Sequence, residues 1–186
     1  MHGIDIRPAL AIPGWMTREE LAWLAVMARH AQVIVEIGSY QGRSTTALAD
    51  HCPGVVYAID PWEGPCLRED CTTAPNDWAV WSAFATHLAA HLASGRVVAL
   101  RMSSAMGLAR LRAAEVEADL VFLDGDHRQE AVAEDLAAAW PLVRSGGKLA
   151  GHDYRNATWP GVTQAVDARF PAGVQTLGGL WWVEKP

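Results

Sequence analysis

The stretch VEIGSYQGRST, Val35 to Thr45, decides the fold. An apolar run ends in an acid, two glycines follow four residues apart, and two hydroxyl residues come next. A short β-branched run that breaks at glycine and resumes with helix-compatible residues is how a buried strand turns into a helix. VIVEI (33–37) predicts the strand and GRSTTALADH (42–51) the helix. A turn of this kind is either plain connection or the floor of a nucleotide pocket. The rest of the chain has to decide which.

Outward from it, the same rhythm repeats. VVYAID (55–60), RVVALR (96–101), DLVFLD (119–124) and KLAGHD (148–153) read as further strands. Helical patterns separate them: a long one near Trp78, SAMGLARLRAA (104–114), and one opened by Asp126 with Gln129 in a capping-box pattern. In the last, Val132, Leu136, Trp140 and Val143 share a face, and Gly146-Gly147 is expected to stop it. A helix over 163–169 follows, and GVQTL and LWWVE flank Gly178-Gly179 as a hairpin. Residues 1–31 read as a lead-in and an amphipathic helix, with Leu21, Leu24, Val26 and Met27 toward the sheet.

Strands alternating with helices predict an α/β, Rossmann-like, doubly wound sheet, mostly parallel, with helices on both faces. The hairpin adds an antiparallel end, making seven strands. The near-continuous apolar runs VIVEI and DLVFLD agree, because a central parallel strand is covered on both faces.

Composition narrows the function. The 186 residues suit one domain spanning the chain, and 51% apolar content suits a sizeable core. A net charge of -6 without a basic cluster argues against nucleic acid and anionic membranes as partners. Residues 1–15 lack a signal-peptide pattern, and 78–95, although free of charged residues, holds too many polar ones to span a membrane. The expectation is a cytoplasmic protein. Cys52, Cys66 and Cys71, an odd number without framework spacing, fit reduced thiols.

In such a sheet, ligands bind beyond the carboxyl ends of the strands where the order reverses. Gly38 and Gly42 let the backbone approach a ligand, and the free N–H groups of the following helix suit an anionic group such as a carboxylate. The spacing is G-x-x-x-G, not the dinucleotide G-x-G-x-x-G. Asp60 ends the second strand, where an acid can accept two ribose hydroxyls. Glu36 precedes the first glycine, and a carboxylate there repels a pyrophosphate but accepts a cationic nucleoside with an amino-acid tail. S-adenosylmethionine has that description.

EIGSYQGRS, IDPW, FLDGDH and GGKLAGHDY, in this order, resemble the motifs of class I S-adenosylmethionine-dependent methyltransferases. The resemblance runs over about residues 30–156 and is nearest to small sugar and natural-product O-methyltransferases. It implies strand order 3-2-1-4-5-7-6. It implies that Glu36, Gly38, Ser39, Gly42 and Ser44 surround the methionine end of the cofactor, and that Asp60 holds the ribose. Ser103 and Ser104 would lie beside the adenine, and Asp124 near the transferable methyl. Relatives often carry an acid where Ser103 stands.

Methyl transfer to a hydroxyl needs a base or a cation that lowers the hydroxyl's pKa. Asp124, His127 and His152 are the catalytic candidates. Related enzymes hold a metal between an acid at the fourth strand end and an acidic pair at the fifth. Here Asp124, His152 and Asp153 would be the ligands of Mg²⁺ or another divalent cation, with imidazole replacing one carboxylate. The metal-free option uses His127 or His152 as base. Asp126 reads most simply as a helix cap. Tyr154 either packs or orients an acceptor.

Elsewhere, His87 and His91 flank an apolar stripe and read as a solvated edge. Trp62 suits pocket wall or core, Trp181 and Trp182 point to opposite faces, and Trp159 is placed to line an acceptor pocket. The loop 63–77 is long enough for a lid. The favoured reading is O-methylation of a small-molecule hydroxyl, with a homodimer compatible. The alternatives are a nicotinamide-dependent oxidoreductase and a non-catalytic S-adenosylmethionine-binding module.

Overall fold

A computed structural model describes residues 3–63 and 77–186. Most of the 63–77 loop, with Cys66 and Cys71, lies outside the described residues. Seven strands form one sheet in the order β3-β2-β1-β4-β5-β7-β6. They are β1 (Val33–Ile37), β2 (Val55–Ile59), β3 (Val97–Leu100), β4 (Ala118–Leu123), β5 (Val143–Gly151), β6 (Gln175–Leu177) and β7 (Leu180–Glu184). The first five are parallel, and β7 runs antiparallel to both β5 and β6.

Alternation along each strand sorts side chains into two cores. Ile34, Val56, Ala58, Phe122 and Leu180 pack against α1 (Arg7–Leu10), α2 (Arg18–Ala28), α3 (Arg43–Ala49) and α4 (Asp77–His87). Val35, Ile37, Val121, Leu149 and Trp181 pack against α6 (Ser104–Ala113), α7 (Gln129–Ala139) and α8 (Pro160–Arg169). The short α5 (Ala89–Ala93) continues α4 after a break at Leu88. Glu36 shares the face of Ile34, so alternation points a carboxylate at α3. Among the described residues, no helix is long and apolar enough to cross a membrane.

Local expectations fail in three places. The helix after Asp126 starts at Gln129 with Arg128 as its N-cap and no side-chain cap. Asp126 instead accepts the Arg128 N–H at 2.8 Å and pairs with its guanidinium, so no capping box forms. The same helix ends at Ala139 and passes through a 3-10 turn, Trp140–Leu142, rather than running to the glycines. Pro141 is the reason, since proline inside a helix removes a donor and clashes with the preceding turn. Gly146 and Gly147 therefore lie inside β5, where they pair with Lys185. On α2, Leu21 and Leu24 are buried, but Val26 is 41% exposed and Ala25 and Ala28 take its place.

Candidate functional site

β2 and β3 lie on one side of β1, β4 and β5 on the other, so the topology switches between β1 and β4. A cleft of about 580 Å³ opens at the carboxyl ends of these strands. Gly38, Ser39, Ser44, Asp60, Ser103, Ser104, Asp124, His127 and His152 line it, gathered from β1, β2, β4, β5 and the starts of α3 and α6.

Glu36 and Gly42 stand behind that lining. Glu36 is fully buried, and its Oε2 accepts hydrogen bonds from the hydroxyls of Ser39 at 2.6 Å and of Thr45. Burial pushes its carboxyl up to about 7 against the opposing pull of these hydroxyls and of Ser44. The acid thus holds the two serines that face the cleft. Gly38 and Gly42 both have positive φ, and the space a Cβ would need is filled by protein. A Cβ on Gly38 would stand 2.1 Å from the Asp124 carbonyl oxygen, and one on Gly42 would stand 2.3 Å from Leu88 Cδ2. The glycine spacing thus serves the contacts of β1 with β4 and of α3 with α4.

Asp60 accepts the N–H groups of Tyr40 at 2.9 Å and Trp62 at 2.7 Å, and burial raises its pKa despite them. Its carboxylate ties the loops after β1 and β2 together at the cleft. Ser103 is the N-cap of α6, its hydroxyl accepting the Met106 N–H. Ser104 bonds the carboxyl of Asp135, a buried acid of α7 that also faces the cleft and whose pKa burial raises.

The second group sits where β4 and β5 end side by side, with Leu123 paired to Gly151. His127 Nε2 lies 2.8 Å from Asp153 Oδ2 and 3.6 Å from Asp124 Oδ1. His152 Nδ1 lies 3.5 Å from Asp153 Oδ2 and 3.8 Å from Asp124 Oδ1, while its Nε2 faces Glu20 at 3.4 Å. Burial would lower both histidines, but the carboxylates outweigh it and lift His127 to about 9 and His152 to about 10. The imidazoles in turn overcome burial and hold Asp153 well below the usual carboxylate range. Trp159 stacks on His127 with ring centroids 4.8 Å apart and lines the cleft. Donor atoms of Asp124, His152 and Asp153 all lie within 4.8 Å of one another, a set of two carboxylates and one imidazole that fits a divalent cation.

Other candidates are brought elsewhere. Tyr154 is buried and donates to Asp167 at 2.6 Å, so it packs. Trp62 is core: buried, against Trp81 and Phe84, with its indole N–H on the Tyr40 carbonyl. His87 bonds the Gln41 carbonyl and His91 the Asp50 carboxylate, so the two do not converge. Cys52 is a buried free thiol against the Ala31 carbonyl.

Sequence reasoning missed several cleft residues. Trp15 and Met16 reach it from the lead-in, where no motif marks them. Tyr40 and Arg43 lie inside the quoted loop, between the residues that carry its motif. Asp135 did leave a signal, because an acid falls on the buried stripe formed by Val132, Leu136 and Ala139.

The comparisons agree with this geometry. A family model described as a methyltransferase domain matches residues 35–154. The chain matches no curated protein at the sequence level. Solved structures share the fold. The O-methyltransferase TomG from Streptomyces achromogenes, involved in tomaymycin synthesis and solved with S-adenosylmethionine, has TM-score 0.67 and 20% identity, over 98% of this chain and 87% of that one. An O-methyltransferase from Bacillus cereus with S-adenosylhomocysteine has TM-score 0.67 and 19% identity, over 95% and 86%. A TDP-rhamnose 3'-O-methyltransferase of calicheamicin biosynthesis has TM-score 0.62 and 17% identity, over 90% and 80%. With the motifs, the strand order and a family match over residues 35–154, which hold most of the cleft lining, the chain belongs to the methyltransferase-domain family and is a class I S-adenosylmethionine-dependent methyltransferase.

Proposed function

We propose that the protein methylates a hydroxyl group of a small molecule, a sugar or natural product, within the cleft. The observation that carries this is the continuity of the cleft from Asp60 to the Asp124–His127–His152–Asp153 cluster. One end suits a nucleoside and the other suits deprotonation. Neighbours of the same fold that act as O-methyltransferases support the reaction class.

When bound, S-adenosylmethionine supplies a methyl group on a positively charged sulfur. Asp60 is placed to accept the ribose hydroxyls, and Ser103 and Ser104 to flank the base. Ser39 and Ser44, tied to Glu36 beneath, and the backbone at Gly38 form the floor of the amino-acid end. Asp124, His152 and Asp153 would hold a divalent cation, whose chemistry would be to lower the pKa of a coordinated hydroxyl. His127, held between Trp159 and the acids, faces the cleft; in its neutral form, which those acids confine to pH values near and above about 9, it serves as the proton acceptor for the acceptor hydroxyl. Trp159 on His127 gives that end an aromatic wall suited to a ring-shaped acceptor, and Trp15 and Tyr40, packed together on the Asp60 side, add aromatic lining that excludes water.

The test is methyl transfer from labelled S-adenosylmethionine to a panel of hydroxylated sugars and aromatics, with and without EDTA. Transfer to oxygen, with kcat lowered about 10²–10⁴-fold in His127→Ala, supports the reading. Transfer only to nitrogen or carbon acceptors would overturn it, and full activity in excess EDTA would remove the cation.

A further inference from the structure

Glu20 belongs to none of the roles above. It is the third residue of α2, yet it is 4% exposed. Part of its task is local. Its Oε2 accepts the Thr17 N–H at 2.7 Å while the Thr17 hydroxyl accepts the Glu20 N–H, which makes a capping box. A capping box needs only one carboxylate oxygen. Oε1 does something else: it accepts the N–H of Gly179 at 2.7 Å, in the turn between β6 and β7. Between these two anchors the carboxylate faces His152 Nε2 at 3.4 Å.

The turn is shaped around this pair. A Cβ on Gly178 would stand 2.7 Å from Glu20 Oε1, and one on Gly179 would stand 3.2 Å from both that oxygen and His152 Nε2. Gly178-Gly179 therefore does more than join two strands. Its lack of side chains lets α2, the hairpin and the end of β5 meet at one carboxylate.

We propose that Glu20 is a positioning residue for His152, fixing the imidazole so that Nε2 is bound from behind and Nδ1 is presented to Asp124 and Asp153 in the cleft. The inference rests on reading that cluster as the acceptor-side machinery. A carboxylate behind a histidine sets which ring nitrogen faces the site and holds the ring plane, whether Nδ1 meets a cation or a carboxylate. With Glu20 in place, a ring flip would strand the Nε2 N–H away from its acceptor.

The test compares the full chain with Glu20→Gln, which keeps the side-chain length and an oxygen for Gly179 but removes the charge facing His152. Histidine-selective ¹³C labelling reports the ring carbons, and their assignment comes from the signal lost in His152→Gln. In Glu20→Gln the His152 signals should shift or broaden, and kcat should fall about 10–100-fold with KM for S-adenosylmethionine unchanged. Gly179→Ala approaches from the other side, crowding Nε2 and Glu20 Oε1 together while keeping the charge, and should disturb the same signals even if Glu20→Gln folds poorly. Unmoved His152 signals in the folded variants, with unaltered kcat, would leave Glu20 a cap and hairpin anchor only and overturn the proposal. If the wild-type chain methylates no hydroxyl, the function assigned to the cluster fails, while the ring signals still decide whether Glu20 positions His152.

Discussion

Replacing Glu36 by glutamine should remove one part of the protein's pH dependence. Glu36 is buried without a cationic partner, bound only by hydroxyls, and its pKa rises from 4.5 to about 7. Because the folded value is the higher one, the folded state keeps this proton over a range in which the unfolded chain has lost it. Stability from this group is therefore full below 4.5 and is lost as pH rises through about 7. At about 1.4 kcal/mol per tenfold change, the interval amounts to about 3–4 kcal/mol. Glu36→Gln is isosteric with the protonated acid, and the hydroxyls of Ser39, Ser44 and Thr45 can rotate to meet an amide. The variant keeps the shape and lacks the titration. Urea unfolding of both proteins at pH 5 and pH 8 gives a double difference from which any constant cost of the amide cancels. The variant should gain about 2–3 kcal/mol on the wild type between the two pH values. A double difference below about 0.5 kcal/mol, or one of opposite sign, would mean that Glu36 is ionised in the fold at neutral pH. The picture of a neutral acid under the cleft floor would then be wrong.

Gly38→Ala should destabilise the fold by about 2–5 kcal/mol, read from the same unfolding curves, because a Cβ meets the Asp124 carbonyl and φ is +83°. Asp60→Asn should weaken S-adenosylhomocysteine binding about 10–100-fold by calorimetry, the loss expected for charge-assisted bonds to two hydroxyls; unchanged affinity would move the ribose elsewhere. Tyr154→Phe should cost about 1 kcal/mol of stability through the lost bond to Asp167 and leave kcat near wild type; a large fall in kcat would return Tyr154 to the acceptor site.

What could be read from the sequence was set by how local its cause is. The strands β1, β2 and β4 declare themselves through apolar runs ending in acid or glycine, and the run-to-helix rhythm then leaves little freedom in the sheet. Asp126 was misread because a local competitor, the Arg128 guanidinium, takes its carboxylate, and competition between two neighbours does not show in a spacing rule. Gly146-Gly147 was misread as a helix stop because Pro141 had already ended the helix, so the pair was free to sit in β5. Trp15, Met16 and the reach of Glu20 beyond its own helix cap could not be found at all. Their partners stand far away in the chain, Glu20 and Gly179 being 159 residues apart, and only the folded sheet brings them together.

The sheet register explains why so few local signals suffice to assemble a site. Ile37 pairs with Ile59 on one side and with Leu123 on the other, and Leu123 pairs with Gly151. The next residue on each of these four adjacent strands is Gly38, Asp60, Asp124 and His152. Parallel pairing at a spacing of about 4.8 Å thus sets one glycine, two acids and one imidazole along a single edge, in the order 60, 38, 124, 152. Beyond this edge the backbone has to turn sharply, and among the described residues four of the five non-glycine residues with positive φ fall there: Tyr40, Trp62, Asp153 and Arg155. Such conformations persist only where surrounding contacts over-determine them. Here the Asp60 carboxylate holds Tyr40 and Trp62, and the two histidines hold Asp153. The groups that give the cleft its chemistry are thus the same groups that fix its backbone. A substitution at Asp60 or Asp153 should therefore alter loop geometry and ligand affinity together, whereas one at Trp159, whose ring stacks on His127, can change the acceptor while leaving the cofactor end intact.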